Sequence, residues 1–268
     1  MKQLGLLSCL LLCIMSFNTL NAQDFEVAPV VLNFKADPGG IETQKITVSN
    51  HDNKKQTFEL KISDYEVDAE GGKKRAAAGT TKRSCANWLS INPPLFELEP
   101  NDSKEIEVNM TVPSDGNSTR WCIIYVAIAK EQTSNKADKA MGAGVQIAPR
   151  IVIQVSQSPA GNSNYQATIK NLQEITKPGD TERSFKVDVV NTGDKVIQAK
   201  VFLTLADIAT AKEQKFSAEK VSLYPDGTRS VTLKLPANIG RGKYALAAIL
   251  DYGHGTSLEG VQMMIDQK

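Results

Sequence analysis

The sequence predicts an all-β protein built as two tandem β-sandwich domains. Three observations carry this. Short runs alternate apolar with polar residues, turn chemistry punctuates them, and one strand-and-turn order occurs twice.

The alternation is plain in the first half. Ile46 and Val48 alternate with Lys45, Thr47 and Ser49. Phe58, Leu60 and Ile62 alternate with Thr57, Glu59 and Lys61, and Ile106, Val108 and Met110 with Glu105, Glu107 and Asn109. Period two puts each apolar set on one face of a strand. Helical spacing is nearly absent; Ala206 to Lys220 is the single candidate, and it lacks an apolar stripe. Regularly spaced short strands point to immunoglobulin-like sandwiches.

The repeat sets the organisation. Val48-Ser49-Asn50-His51-Asp52-Asn53-Lys54 returns as Val189-Val190-Asn191-Thr192-Gly193-Asp194-Lys195. Leu98-Glu99-Pro100-Asn101-Asp102 returns as Leu223-Tyr224-Pro225-Asp226-Gly227, each time with a strand after it. Pro100 and Pro225 pre-set a turn, and the Asn, Asp and Gly residues after them tolerate turn geometry. Ser158 to Asn164 reads as a linker. The expected division is a signal peptide over 1–22, one immunoglobulin-like sandwich over 23–158 and a second over 159–268.

The N-terminus predicts export. Lys2 is followed by an apolar run from Leu4 to Met15, and Ala22 offers a small residue for cleavage. The run is short for a bilayer span, and no later stretch is long enough, so the mature chain is expected to carry no membrane span. Cys13 lacks the small residues that a lipoprotein signal places before its cysteine. Cleavage removes one lysine and no carboxylate, leaving basic and acidic side chains in balance. That argues against nucleic acid as a partner, which would require a basic field. Cys9 and Cys13 leave with the signal. Cys85 and Cys122 remain, a disulfide candidate in an oxidising compartment, with two buried thiols as the alternative.

Two long loops are expected in the first domain, Ala69 to Ser84 and Glu131 to Gly144. The first holds Lys73, Lys74, Arg75, Lys82 and Arg83, a basic cluster that either meets an acidic partner or is simply solvated. Trp88 and Trp121 are expected in the core of the sandwich.

Catalytic chemistry is not displayed. His51 and His254 sit in turns without zinc-ligand spacing. No nucleophile elbow, phosphate loop or dinucleotide fingerprint occurs. The expectation is a non-enzymatic protein with no cofactor and no metal.

Residues Phe25 to Ser158 resemble the N-terminal domain of the PapD-like periplasmic chaperones, which assist pilus assembly. The resemblance rests on Phe25 to Phe34, on Ile46-Thr47-Val48-Ser49-Asn50, on Trp88 to Pro100, and on the apolar strands Cys122 to Ile128 and Val145 to Val155. Gly242 to Gly253 looks like the second immunoglobulin-like domain of similar exported proteins. The resemblance implies a periplasmic chaperone or assembly accessory whose clients are exported or surface proteins. It also implies strand donation, in which the last strand of the first domain completes a client sandwich. Val145, Ile147, Ile151, Ile153 and Val155 share one parity, as donation requires, but so would any core-facing strand. The family's two carboxylate-binding cations are matched here only by Lys35 and Arg150, both offset from the usual places. The alternative reading is a structural, scaffold or adhesion protein of the cell envelope, located at the cell surface.

Overall fold

The structure is a computed structural model and describes residues 25–129, 149–236, 238–254 and 258–267. The expected signal segment and the candidate partner residues Val145 and Ile147 lie outside the described residues. Among the described residues are eighteen strands and one short 3-10 turn, Ala86–Trp88. No helix among them is long and apolar enough to cross a membrane. The strands form two separate pairs of sheets, one sandwich after the other.

In the first domain one sheet has the order β1 (Phe25–Ala28), β3 (Ile41–Asn50), β8 (Ser103–Thr111), β6 (Leu89–Asn92). The facing sheet runs β2 (Val31–Phe34), β10 (Arg150–Gln157), β9 (Arg120–Ile128), β4 (Gln56–Val67), β5 (Lys73–Ala76), with β7 (Leu95–Leu98) also paired to β4. The first strand changes sheets part-way. Pro29, which has no N–H to give a ladder, separates β1, antiparallel to β3, from β2, parallel to β10.

The alternating residues do what period two predicts. Ile46, Val48, Phe58, Leu60, Ile106, Val108 and Met110 are all buried in one core. Phe58 sits among aromatic rings, edge-on to Phe25 at 5.3 Å and stacked on Phe96 at 5.7 Å.

The second domain pairs a sheet of β11 (Ala167–Glu174), β12 (Arg183–Asn191) and β16 (Thr228–Leu235) with a larger one. The latter runs β14 (Glu213–Lys215), β13 (Ile197–Asp207), β17 (Gly242–Asp251), β18 (Glu259–Gln267), with β15 (Glu219–Leu223) also on β13. Phe185, Val187, Val201, Leu203, Leu246 and Leu250 fill its core. The segment Ala206 to Lys220 is strand, turn and strand, as its missing apolar stripe allows.

The sequence repeat is a structural corner. Asn50 ends β3 with its side chain fully buried, and its Nδ2 donates to the carbonyls of Lys54 (2.8 Å), Leu98 (3.2 Å) and Glu99 (3.1 Å). Its Oδ1 accepts the Asp52 N–H at 3.0 Å. Asn191 ends β12 and repeats this, donating to Lys195 O (2.7 Å) and Leu223 O (2.9 Å) and accepting from Gly193 N (2.9 Å). One amide thus ties its own turn to the Leu-x-Pro corner of a distant strand. A buried amide with donors and acceptor all used stabilises this corner; an unused one would destabilise it.

Two expectations are corrected. Ala69 to Ser84 is not one solvated loop. Lys73–Ala76 forms β5 on β4, and the stretch after it is held by Asp64, a buried carboxylate. Asp64 accepts from Thr80 N (2.9 Å), Thr81 N (3.0 Å), Thr81 Oγ1 (3.2 Å) and Ser84 Oγ (2.7 Å). Lys-Lys-Arg-Ala escapes a strand reading because it has no apolar alternation; its partner strand imposes the conformation. The tryptophans also meet expectation only in part. Trp88 packs against the main core but stays half-buried, with the Arg120 guanidinium 4.8 Å from its ring centre. Trp121 is buried in a satellite cluster with Tyr65 and Ile123, outside the main core.

Candidate partner-binding edge

β10 is paired along its whole length with β9, antiparallel from Arg150↔Ala127 to Gln157↔Arg120. On its other side β2 covers only Gln154 to Gln157. Arg150 to Ile153 therefore have no strand on that side among the described residues. Gln154 N–H donates to Val30 O at 2.9 Å, across toward β2. N–H and C=O directions alternate along a strand, so the N–H and C=O of Val152 face the same side, where β2 is absent. Val30, Val31 and Val152, around this step, are exposed at 47%, 48% and 41%.

The structure divides the predicted side chains by parity. Ile153 and Val155 are fully buried in the domain's own core, and Ile151 packs against it. Their alternation is that of a core-facing strand, so these side chains do not reach a partner in this arrangement. The outward parity is Arg150, Val152, Gln154 and Ser156.

Lys35 and Arg150 are not brought together. Phe34, next to Lys35, is in register with Gln157, at the far end of β10 from Arg150. The separation along the strand is roughly 23 Å at 3.3 Å per residue. Lys35 instead lies near Lys195, in a pocket lined also by Thr119, Ser156 and Ser158. Burial holds the Lys195 ammonium below the ordinary lysine range; Asp194 opposes this and the charge of Lys35 adds to it.

Sequence reasoning missed the groups that join the domains. Arg83 is mostly buried and forms ion pairs with Asp194 and, at 3.0 Å, Asp226 of the second domain. Lys82 also reaches Asp226 at 3.0 Å. The acidic partner of this part of the basic cluster is the protein itself. Hydrogen bonds from Lys82 and Arg83 hold the Asp226 carboxyl below its usual range, against the opposing effect of partial burial. Asp194 also accepts from Thr119 N (2.9 Å) and Asn162 Nδ2 (2.7 Å). Tyr224 closes the contact, its ring 5.0 Å from that of Trp121 and its hydroxyl 3.1 Å from that of Tyr65. Burial, then the bond to Tyr224, pushes the Tyr65 phenol well above its ordinary range. None of these residues has a local signature; 111 and 143 positions separate Arg83 from its two carboxylates.

Cys85 and Cys122 are buried free thiols with their sulfurs 3.5 Å apart. The hydrogen bond it shares with Cys85, then burial, raises the Cys122 thiol far above its ordinary range, which makes it a poor nucleophile as it stands. No group of three or more His, Cys, Asp or Glu among the described residues is placed to hold a metal ion.

No protein-family model matches the sequence, and no curated protein matches it. Solved structures do. A chain of the chaperone–tip adhesin complex of CFA/I fimbriae biogenesis matches at TM-score 0.51 and 11% identity, covering 90% of this chain and 98% of that one. The class 5 fimbriae chaperone CfaA matches with the same score, identity and coverage. At this identity the likeness is one of architecture. This chain has the two-domain, tandem immunoglobulin-like fold of the fimbrial chaperones.

Proposed function

We propose that this protein is a non-enzymatic periplasmic chaperone or assembly accessory, which holds exported client proteins by offering them the open edge of β10. One observation carries the reading: the main-chain groups of Val152 face a side of β10 on which no strand is described, and β2 bounds that open stretch at Gln154. An extended client segment would find there a ladder of fixed length. Exposed Val30, Val31 and Val152 add apolar surface at the same step. The fold it shares with fimbrial chaperones supports the same reading. Among the sequence-predicted residues Arg150 is the one we assign to the client, together with the main chain of its neighbour on the same parity, Val152. Ile151, Ile153 and Val155 contribute their side chains to the core that holds the strand in place.

The proposal includes export, with cleavage after Ala22 and a domain boundary between 158 and 159. It also includes closure of Cys85 and Cys122 to a disulfide, by thiol exchange with a disulfide donor of the oxidising compartment.

The test uses two variants of the mature protein expressed in its own host. Val152→Pro removes the outward N–H and leaves the β9 ladder intact, whereas Val152→Ala keeps the N–H. Exported proteins should co-purify with the wild type and with Val152→Ala, and be lost with Val152→Pro at unchanged melting temperature. Equal recovery with Val152→Pro would overturn strand addition at this edge.

A further inference from the structure

We infer that the client segment taken up at β10 is acidic on its outward-facing parity. This rests on the strand-addition reading and names the chemistry of the partner.

The argument is the charge of the sheet face beside the open edge. On this face, over residues 59–63, 73–75, 123–127 and 150–154, the outward charged side chains are Glu59, Lys61, Lys73, Arg75 and Arg150. Four are cations. The single carboxylate, Glu59, is already paired with Lys61 at 2.8 Å. The whole chain is almost neutral, with 31 basic and 30 acidic residues, so the local excess is a matter of placement.

β5 does the placing. Arg75 and Lys73 are in register with Tyr65 and Val67 and share their face. Both side chains lie flat across the sheet toward β10. Arg75 Nε donates to Ser63 Oγ at 3.1 Å, and its guanidinium stands 4.7 Å from the centre of the Tyr125 ring. Tyr125 is in register with Val152. Lys73 passes 5.2 Å from the Tyr65 ring centre and donates to Gln154 Oε1 at 2.9 Å. An ammonium thus ends beside the residue where β2 stops covering β10, and Arg150 stands at the other end of the open stretch. A strand added to that edge lies about 4.8 Å from β10, with its outward side chains alongside Arg150 and Val152. Carboxylates there would meet cations within roughly 5–10 Å on a partly apolar face, and lysines would be repelled. The neutral partner of Lys73, Gln154, gives up little when a carboxylate replaces it.

The probes are three synthetic peptides of about twelve residues that alternate Val with Glu, with Lys or with Thr, titrated into the mature full-length protein. The Glu peptide should bind at least about tenfold more tightly than the Lys peptide at low salt, with the Thr peptide between them. In ~1 M salt, where the screening length is about 3 Å, the three should converge. Arg150→Glu, at an exposed position, should shrink the preference several-fold. Lys73→Gln with Arg75→Gln should do the same while keeping much of each apolar stem. Binding of all three peptides with equal affinity at low salt would overturn the charge inference and leave strand addition standing. Binding of none would overturn both. A preference that survives in both variants would show that these cations are not its source.

Discussion

β10 and β18 close their sandwiches alike and end with different neighbours. Each pairs antiparallel with the strand before it, β9 or β17. In the first domain the opening strand is cut by Pro29, and its second piece, β2, crosses over to cover Gln154 to Gln157. In the second domain the opening strand β11 stays paired with β12, and bulges between Lys170 and Gln173, with Asn171 at φ 59°. Among the described residues β18 is hydrogen-bonded to no strand but β17, with β11 packed close to it, whereas β10 is laddered by β2 over half its length. A half-covered edge has a defined stop, which fixes how far and in what register another strand can add. Where the architecture is duplicated, the interruption at Pro29 gives only the first domain a laddered stop beside its last strand, and the proposed strand addition depends on that difference.

The sharpest way to break this comparison is along the parity of β10. Ile153→Asp should cost more than about 4 kcal/mol and unfold the first domain, since a charge would enter a sealed core. Val152→Asp, one residue away and 41% exposed, should stay within about 0.5 kcal/mol. Both tryptophans lie in the first domain, Trp121 against Tyr224 of the second, so denaturant titration followed by their fluorescence reads the first domain and its junction. Comparable losses at the two positions would mean that the parity assignment is wrong.

The proposed disulfide gives the next largest effect and again separates the domains. Its 37-residue span lies wholly in the first domain, and among the described residues the second has no cysteine. Reduction should destabilise the first domain by about 2–5 kcal/mol and leave the second unchanged. Mass spectrometry of the protein from its own host after alkylation under denaturing conditions decides whether the bond exists; two alkylated thiols would refute it.

The corners should respond in parallel. Asn50→Ala and Asn191→Ala each remove a buried amide and should cost about 1–3 kcal/mol, with Asn50 the greater because it serves three carbonyls rather than two. A cost at one position and none at the other would weaken the claim that the repeat marks one structural device, and reversed costs would contradict the ranking by carbonyls served.

The smallest predicted effect concerns the junction. Arg83→Gln should cost about 1–2 kcal/mol in the coupling of the two unfolding transitions seen by calorimetry. Its pH dependence has a fixed sign. The folded pKa of Asp226 is depressed, so its contribution is present above the unfolded value near 4 and is lost as the pH falls through the folded one. Acid should therefore loosen the junction in the wild type, and less so in Asp226→Asn.

The fold was legible because period-two runs and the Asn and Leu-x-Pro repeat are local signals with a mechanism. The site was only partly so. Alternation in Ile151, Ile153 and Val155 shows that they share a face, but whether that face meets a core or a client is set by the strands around β10. Arg83, Asp64 and Lys73 act through residues distant in sequence, and nothing next to them announces it. β5 carries three consecutive cations and reads as a loop until β4 is there to pair with it.

The central claim is that the main chain of Val152 is free in the protein alone and taken up by a client. Residue-resolved amide hydrogen exchange tests it directly. In the free protein the Val152 amide should exchange quickly while those of Ile151 and Ile153, turned toward β9, are protected; adding the acidic strand peptide should protect Val152. A Val152 amide as slow as its neighbours in the free protein, or one left unprotected in a saturated complex, would contradict the account.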